Sequence, residues 1–416
     1  MRIAIVGSGV SGLVCAHLLH PHHDVVLYES DDRPGGHSHT HRVELPDLDC
    51  DVDTGFLVYN ERTYPLFGRL LDRLDVATQA SDMCFSVSDQ RTGIEWRGSS
   101  VSTVFAQRRN LVRPAFLAML ADVARFNRLC QGLLVDPPPD TVTLEDVLAP
   151  HRWSSGFRSW YLVPLGSSIW SANPRTFTRI PAATFARFFE RHGLLRLRDQ
   201  PRWRTVTGGS KRYVEAILAP LRAEGRVRLS TPVDKILRHG PRVELVGPAG
   251  PETYDHVIVA THSDQALRLL SDADRAERAV LGAIRYQSNR ATLHTDASLM
   301  PVNRRAWASW NYHRLEGAGD MATLTYHLNQ LQGIPSATPV LVTLNRDEAI
   351  DPTAVIARMD YSHPVLDPAA VEAQGRKGEI NGTRNTWFAG AYWGYGFHED
   401  GVRSAVDTCR AFGVTL

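Results

Sequence analysis

The chain opens on a short apolar run, Ile3-Ala4-Ile5-Val6, that leads straight into Gly7-Ser8-Gly9-Val10-Ser11-Gly12. A helical pattern follows, with Leu13, Ala16 and Leu19 at helical spacing, and it ends near Pro21. A second apolar strand, Val25 to Tyr28, then closes on Glu29. Few folds accept such a unit, because its strands must lie parallel in a buried sheet with a crossover helix between them. Gly7 permits the tight turn, Gly9 lets backbone approach a pyrophosphate, and Gly12 lets helix and strand pack closely. The helix N-terminus offers unpaired N–H groups and a positive dipole end to phosphates. Glu29, about 20 residues past the middle glycine, is placed to accept hydrogen bonds from ribose hydroxyls. Val10 and Ser11 in the first turn, and Ser30 beside the acid, complete the expected nucleotide contacts. The glycines alone do not separate NAD from FAD.

Glu29 is followed at once by a second glycine turn, Arg33-Pro34-Gly35-Gly36. Here the chain resembles the flavoprotein superfamily of amine oxidases, protoporphyrinogen oxidases and carotenoid desaturases. In that superfamily such a segment runs along the FAD pyrophosphate. His37-Ser38-His39-Thr40 stands where many members carry a basic residue and a threonine, with His37 replacing the usual arginine. The strand Asp255 to Thr261 is similar to the one that returns the chain to the cofactor, and its turn holds Ala260 and Thr261. Val233 resembles the position whose backbone holds the adenine. Near the C-terminus, Gly390 and Ala391 precede His398-Glu399-Asp400-Gly401 and a predicted helix from Val402 to Phe412. The resemblance implies that this helix aims its N-terminus at the flavin pyrimidine edge, where the dipole favours the negative charge of reduced flavin. It also implies a place for Asp400 at the ribityl chain or pyrophosphate. The cofactor implied is FAD.

The expected fold is α/β, α+β overall: a Rossmann-like FAD domain interleaved with a mixed sheet and helical substrate domain, as in monoamine oxidases. The FAD domain is expected over residues 1–79, 200–284 and 381–416, the substrate domain over 80–199 and 285–380. An amphipathic helix is predicted from Leu111 to Leu134, and a capping box at Thr143-Leu144-Glu145-Asp146. Short β-like runs occur at Ala291 to Thr295, Thr323 to Leu328 and Val340 to Leu344.

A net charge of +1 gives no global reason to expect nucleic acid or a polybasic anchor, and membrane contact is expected to be peripheral at most. Five widely spaced cysteines without a CxxC pair suggest neither a disulfide framework nor a zinc site. No signal peptide precedes the strand at Arg2 to Val6, and no apolar run reaches the roughly 18 residues of a spanning helix, so a cytoplasmic location is expected. His37, His39 and His41 alternate and would share a face on a strand; flavin-loop packing is the expected role, and no metal site is assigned.

Several strings are similar to one bacterial group of predicted NAD/FAD-binding oxidoreductases. They are Asp53 to Asn60 (which contains Gly55, Phe56 and Tyr59), Ser168 to Ser171, Gly208 to Val214, Trp307 to Tyr312 and Gly390 to Asp400. Members are often encoded beside methyltransferases of the cyclopropane-fatty-acid-synthase type. The resemblance therefore implies a hydrophobic or lipid acyl substrate and a lipid methyltransferase partner. Amine oxidases of the superfamily place a lysine near flavin N5 on a strand corresponding to Ile284 to Asp296. That stretch has Asn289, Arg290 and His294 but no lysine, which argues against ordinary amine oxidation.

The reading is hydride transfer between an apolar substrate and flavin N5. The flavin is expected to be lined by Gly208, Gly209, Tyr392, Trp393, Tyr395 and Phe397. Tyr59, His294 and His398 are candidates for proton transfer, His398 equally as a helix cap. Two rival readings are a redox-neutral isomerase or hydratase of unsaturated lipids, and an FAD-bearing accessory protein of a lipid methyltransferase.

Overall fold

The computed structural model describes residues 1–196, 200–316 and 321–416. Its strands run β1 (Arg2–Val6), β2 (Asp24–Tyr28), β3 (Phe85–Asp89), β4 (Ile94–Arg97), β5 (Val227–Arg228) and β6 (His256–Val259). They continue as β7 (Tyr286–His294), β8 (Trp310–Arg314), β9 (Leu324–His327), β10 (Leu341–Leu344), β11 (Val355–Pro364) and β12 (Thr386–Phe388). The helices that shape the site are α1 (Val10–Leu19), α2 (Pro65–Arg73), α3 (Pro114–Val135) and α4 (His398–Arg410).

Ile3, Ala4 and Ile5 are buried on both faces of β1, as a continuous apolar run in a central parallel strand requires. The sheet order is β5-β2-β1-β6-β12, all parallel. Its strands come from three separated stretches of chain, so it closes only when the two ends meet. α1 is wedged between this sheet and α4, with every residue but His17 buried, which explains why it lacks a polar face. Ser11 Oγ donates to Gly401 O at 3.0 Å and ties the two helices at their N-terminal ends.

A second sheet, β11-β7-β10-β9-β8-β3-β4, is antiparallel except where β8 pairs with β3. A helical layer packs beside it around Phe126, Phe157, Phe185 and Phe189. Within the sheet a buried polar row crosses four strands: His294 Nε2 to Thr343 Oγ1 at 2.8 Å, Thr343 to Thr325 at 2.8 Å, and Thr325 to His313 Nε2 at 3.1 Å.

Two helix starts move relative to expectation. The helix expected from Leu111 begins at Pro114, because proline lacks an N–H and holds Arg113 in extended backbone. Residues 108–112 form a separate 3₁₀ turn instead. The last helix begins at His398 rather than Val402, since Asp400 accepts from Phe397 N at 3.1 Å and starts it a turn earlier. The capping box is present as drawn: Thr143 N donates to Asp146 Oδ2 at 2.9 Å and Asp146 N to Thr143 Oγ1 at 3.2 Å. The expected domain limit at residue 199 lies outside the described residues. Among the described residues no helix is long and apolar enough to cross a membrane.

Candidate functional site

At the C-terminal ends of β1, β2 and β6 the chain forms a glycine cradle. Gly7 has φ +101°, a backbone that side chains rarely adopt, and a Cβ there would lie 2.9 Å from Ala260 O. Gly12 is tighter still, since a Cβ would come within 1.9 Å of Gly7 O. A Cβ on Gly9 would meet nothing within 4 Å, so its free side faces open space. Glu29 Oε2 accepts from Ser8 N at 2.9 Å, and its other oxygen accepts from Asp31 N at 3.1 Å.

A connected cavity of about 1750 Å³ begins at this cradle. Its wall includes Gly7, Gly9, Val10, Ser11, Glu29, Ser30, Arg33, Gly36, His37, Gly55, Phe56, Val233, Ala260, Thr261, Gly390, Ala391 and His398, bringing together most of the expected cofactor contacts. His37 Nε2 is buried with no hydrogen-bond partner among the described residues, a polar atom that the occupant of the cavity would satisfy. An open glycine edge, a carboxylate fixed at the strand end, a helix N-terminus and this orphaned nitrogen together fit FAD.

The remaining expected contacts serve the scaffold. Gly12 packs α1 on β6, and a Cβ on Gly35 would lie 2.6 Å from Ser38 O. Glu399 turns away from the cavity and accepts from Leu66 N at 3.1 Å and Phe67 N at 3.0 Å, capping α2. Asp400 caps its own helix through Tyr395 N and Phe397 N and is off the cavity wall. A Cβ on Gly401 would lie 2.6 Å from Val10 Cγ1, so this glycine allows α4 to meet α1. Gly208 and Gly209 are also off the cavity wall; Gly209 abuts Thr40 and Asp53 in a turn. Of the four aromatics expected at the flavin, Tyr392 and Phe397 line the cavity, whereas the Trp393 indole bonds Phe388 O and Tyr395 faces a neighbouring cleft.

The proton-transfer candidates fare differently. His294 is fully buried in the second sheet, where Nε2 meets Thr343 and Nδ1 accepts from Asp296 N at 3.1 Å, so both nitrogens are engaged away from the cavity. Tyr59 is buried against Tyr64 and Phe67, also off the cavity wall. His398 does line the cavity, but its ring stacks on Phe56 at 3.6 Å and Nε2 meets Ser38 and Tyr213 hydroxyls at 3.1 and 3.2 Å. Burial pulls its pKa to about 3, so it is a neutral wedge rather than a proton carrier at neutral pH.

Sequence reasoning missed three polar side chains of the cavity wall. β7 and β11 pair so that Asn289 faces Tyr361 and Gln287 faces His363, and Tyr286, Tyr361 and His363 line the cavity. The His37 ring lies 5.0 Å from Tyr361 and 5.3 Å from His363. Asn289 Oδ1 accepts from Asn345, so Asn289 Nδ2 donates to His363 Nδ1 at 3.2 Å and leaves the ring proton on Nε2. Burial lowers His363 to about 4. The His39 and His41 rings lie 4.0 Å apart, tilted by 36°, and His39 Nδ1 meets the Tyr361 hydroxyl, so Tyr361 touches both His37 and His39. None of the chain's three lysines, Lys211, Lys235 and Lys377, lines the cavity.

Beyond the cradle the cavity continues into the helical layer. Val104, Phe105, Met119, Leu120, Tyr161 and Leu165 line this arm. Tyr161 sits on a π-type turn (158–162) just before Pro164, whose missing N–H interrupts regular helical bonding. The whole cavity exceeds the roughly 300–1,000 Å³ of an ordinary ligand pocket, leaving room for a second molecule beside a dinucleotide.

A family model described as flavin-containing amine oxidoreductase matches residues 10–296. A curated relative from Mycobacterium tuberculosis (strain H37Rv), carrying the name flavin-containing monoamine oxidase AofH, is 30% identical over 277 residues. The match covers 62% of this chain and 56% of the relative, so the chain spans about half the length of that protein. Among solved structures, cyclohexylamine oxidase from Brevibacterium oxydans IH-35A is similar with a TM-score of 0.70 and 17% identity, over 99% of this chain and 98% of that one. A CLA-producing fatty acid isomerase from P. acnes gives 0.67 and 16%, with the same coverage. At such identities the likeness is one of fold.

Proposed function

The chain belongs to the family of flavin-containing amine oxidoreductases, and from that premise we propose that it is an FAD-dependent oxidoreductase acting on an apolar substrate, an unsaturated or methylated fatty acyl chain. FAD is the cofactor that family membership assigns. The observation that carries the substrate reading is the apolar arm, in which Val104, Phe105, Met119, Leu120 and Leu165 extend the nucleotide cavity into the helical layer. Aliphatic and aromatic walls favour a ligand by burying its hydrocarbon, at roughly 25 cal/mol per Å². The absence of lysine from the cavity wall supports a substrate other than an amine.

Bound FAD supplies the two-electron chemistry that the side chains lack. The protein's part is to hold and shield. Glu29 and the cradle backbone hold the adenosine half, and the apolar arm orients the acyl chain and excludes water. Tyr361 and His363, both held neutral by burial, present hydrogen-bonding groups to the cavity where Tyr59 and His294 do not, and in this reading they orient the substrate. The FAD domain of residues 1–79, 200–284 and 381–416, the substrate domain of 80–199 and 285–380, a cytoplasmic location and a lipid methyltransferase partner belong to the same proposal. Supporting the domain division, the parallel sheet draws only on the first set of residues. All five cysteines are free thiols, which suits a reducing compartment.

Anaerobic mixing of the flavin-loaded protein with a total lipid extract tests the reading. Bleaching of the long-wavelength flavin band by lipid, and not by a panel of amines, is the expected result. Bleaching by amines alone would overturn the substrate assignment. Turnover only after prior reduction, with no net electron flow, would identify the redox-neutral isomerase, a reading that the same apolar arm accommodates. Activity confined to mixtures with the methyltransferase would identify an accessory role.

A further inference from the structure

Eight large apolar side chains are exposed among the described residues, and five of them (Val101, Leu111, Val112, Leu117 and Val302) fall in two short segments. Those segments are joined. Arg305 Nη2 donates to Ser102 Oγ at 3.0 Å, Arg108 Nη2 to the same oxygen at 3.4 Å, and Asn303 Nδ2 to Ala106 O at 3.1 Å. The apolar residues stand 42–95% exposed. Scattered exposed apolar residues need no explanation, but a cluster of them does.

The charge carried by these two segments has one sign, and the exposed acid at their edge, Asp82, is paired with Arg97, which bonds Ser99 and Trp307 O. Residues 98–121 contain Arg108, Arg109 and Arg113 and no aspartate or glutamate; residues 297–307 contain Arg304 and Arg305 and likewise no acid. The neighbouring Glu95 is buried, and its carboxylate is taken by Val302 N and Asn303 N at 2.8 Å. The hydrogen bonds of Arg108, Arg109 and Arg305 go to backbone carbonyls and the Ser102 hydroxyl, namely Phe105 O, Gly93 O and Ser102 Oγ. Arg304 lies over the Trp307 ring. Among the described residues these arginines therefore have no carboxylate partner.

The patch is continuous with the cavity mouth. Ser99, Ser100 and Val101 line both, and Val104 and Phe105 lead from there into the apolar arm. We propose that this face, Val101 and Leu111 to Leu117 together with Val302 to Arg305, docks on an anionic lipid bilayer. The apolar tips enter the headgroup–acyl boundary, the arginines meet lipid phosphates, and the mouth opens toward the membrane. Interleaved aliphatic and arginine residues suit a planar interface with mobile headgroups, since these arginines need no fixed carboxylate opposite them. The surface reaches beyond the substrate reading and does not depend on it, because binding is read without turnover.

Sedimentation of the flavin-loaded full chain with vesicles tests this, using phosphatidylcholine with and without phosphatidylglycerol. The expected result is binding to the phosphatidylglycerol vesicles, lost on raising salt to about 0.5 M, where the screening length falls to a few ångströms. R108Q/R109Q is expected to weaken that binding at least ~10-fold, at about five-fold per arginine. L111D/V112D is expected to abolish it while leaving flavin content and melting temperature unchanged, since neither residue lines the cavity. Absence of vesicle binding by the wild type at low salt overturns the proposal. So does undiminished binding by L111D/V112D. If the wild type instead self-associates, and L111D/V112D is monomeric without any vesicle binding, the patch is a protein interface and the bilayer is excluded.

Discussion

Glu29 accepts a 2.9 Å hydrogen bond from the backbone N–H of Ser8, so the strand-end acid is locked to the first glycine turn before any nucleotide arrives. Only part of its charge is spent on that bond. A glutamine loses the charge and sets an NH2 against one of the two backbone donors, Ser8 N or Asp31 N, and hydrogen bonds to a charged group are worth about 1.5–3 kcal/mol against about 1 for neutral ones. E29Q should therefore hold FAD about 10-fold more weakly, read as flavin fluorescence released on dilution, with the flavin-free protein still folded and melting only a few degrees lower. Wild-type retention by E29Q would remove Glu29 from the cofactor site.

The contact between Gly12 and Gly7 gives a harsher test. A methyl group at residue 12 would sit 1.9 Å from a carbonyl oxygen belonging to the pyrophosphate turn. Neither partner is a flexible side chain, so α1 must move relative to β1 and β6. Overpacking of this kind costs about 1–3 kcal/mol or more, and here the displacement falls on the cradle itself. G12A should purify without flavin and melt several degrees below wild-type apoprotein. G9A, whose added methyl faces open space, should fold normally and lose only cofactor affinity. Equal stability of G12A and wild type would mean that the packing is looser than the structure describes.

The nucleotide end of the molecule is legible in the sequence because it is local: β1, the glycines, α1, β2 and Glu29 lie within 29 residues, and their roles follow from spacing. The C-terminal segment misled in an instructive way. Glu399 and Asp400 read as cofactor contacts because they stand beside Gly401, yet Glu399 caps a helix more than 300 residues away and Asp400 caps its own. Nothing in the local pattern distinguishes a carboxylate aimed at a ligand from one aimed at a backbone N–H. Tyr361 and His363 were invisible for the opposite reason. They alternate on β11 like any half-buried strand, and only the register with β7 brings them to the cavity. The apolar arm shares this difficulty, since helical periodicity marks Met119 and Leu165 as inward-facing without saying whether a core or a cavity lies inside.

Asp53 links the His37–Thr40 loop to the Gly208–Gly209 turn, accepting from Thr40 Oγ1 at 2.6 Å, Ser210 N at 2.7 Å and Ser210 Oγ at 2.7 Å. Burial pushes its pKa up to about 6 despite these bonds, which pull in the opposite direction. The unfolded value is near 3.9, so between about pH 4 and about pH 6 the native state binds the extra proton. Stability contributed by the neutral carboxyl is complete below about pH 4 and is lost as pH rises through about 6, a change on the order of 2–3 kcal/mol. Asp400, also raised to about 6 by burial, adds to the same slope. The histidines that burial holds neutral, His363 and His398 among them, push wild-type stability upward with pH across the same window, so the Asp53 contribution is read as the difference between wild type and D53N in urea unfolding. D53N, less stable at the acid end because its amide cannot accept every bond, should close on wild type as pH rises from about 4 to about 6. A difference that widens with pH through the window would contradict the assignment.

Leu165 stands on the helix Val163–Trp170 and lines the apolar arm together with Met119 and Tyr161, far along the chain from every residue of the glycine cradle. Replacing it with tryptophan fills space that is cavity rather than packed core, so the usual overpacking penalty should be small. Flavin content and apoprotein stability are expected to match wild type. The reduction rate of bound flavin by long-chain acyl substrates should fall at least ~10-fold, since an added indole shortens the channel by more than the few carbons such a chain can forgo. Short apolar substrates that do not reach Leu165 should be affected much less, and that difference separates a blocked arm from a damaged catalytic centre. Equal loss for short and long substrates would place the acyl chain elsewhere; no loss for either would mean that the arm is not its binding site.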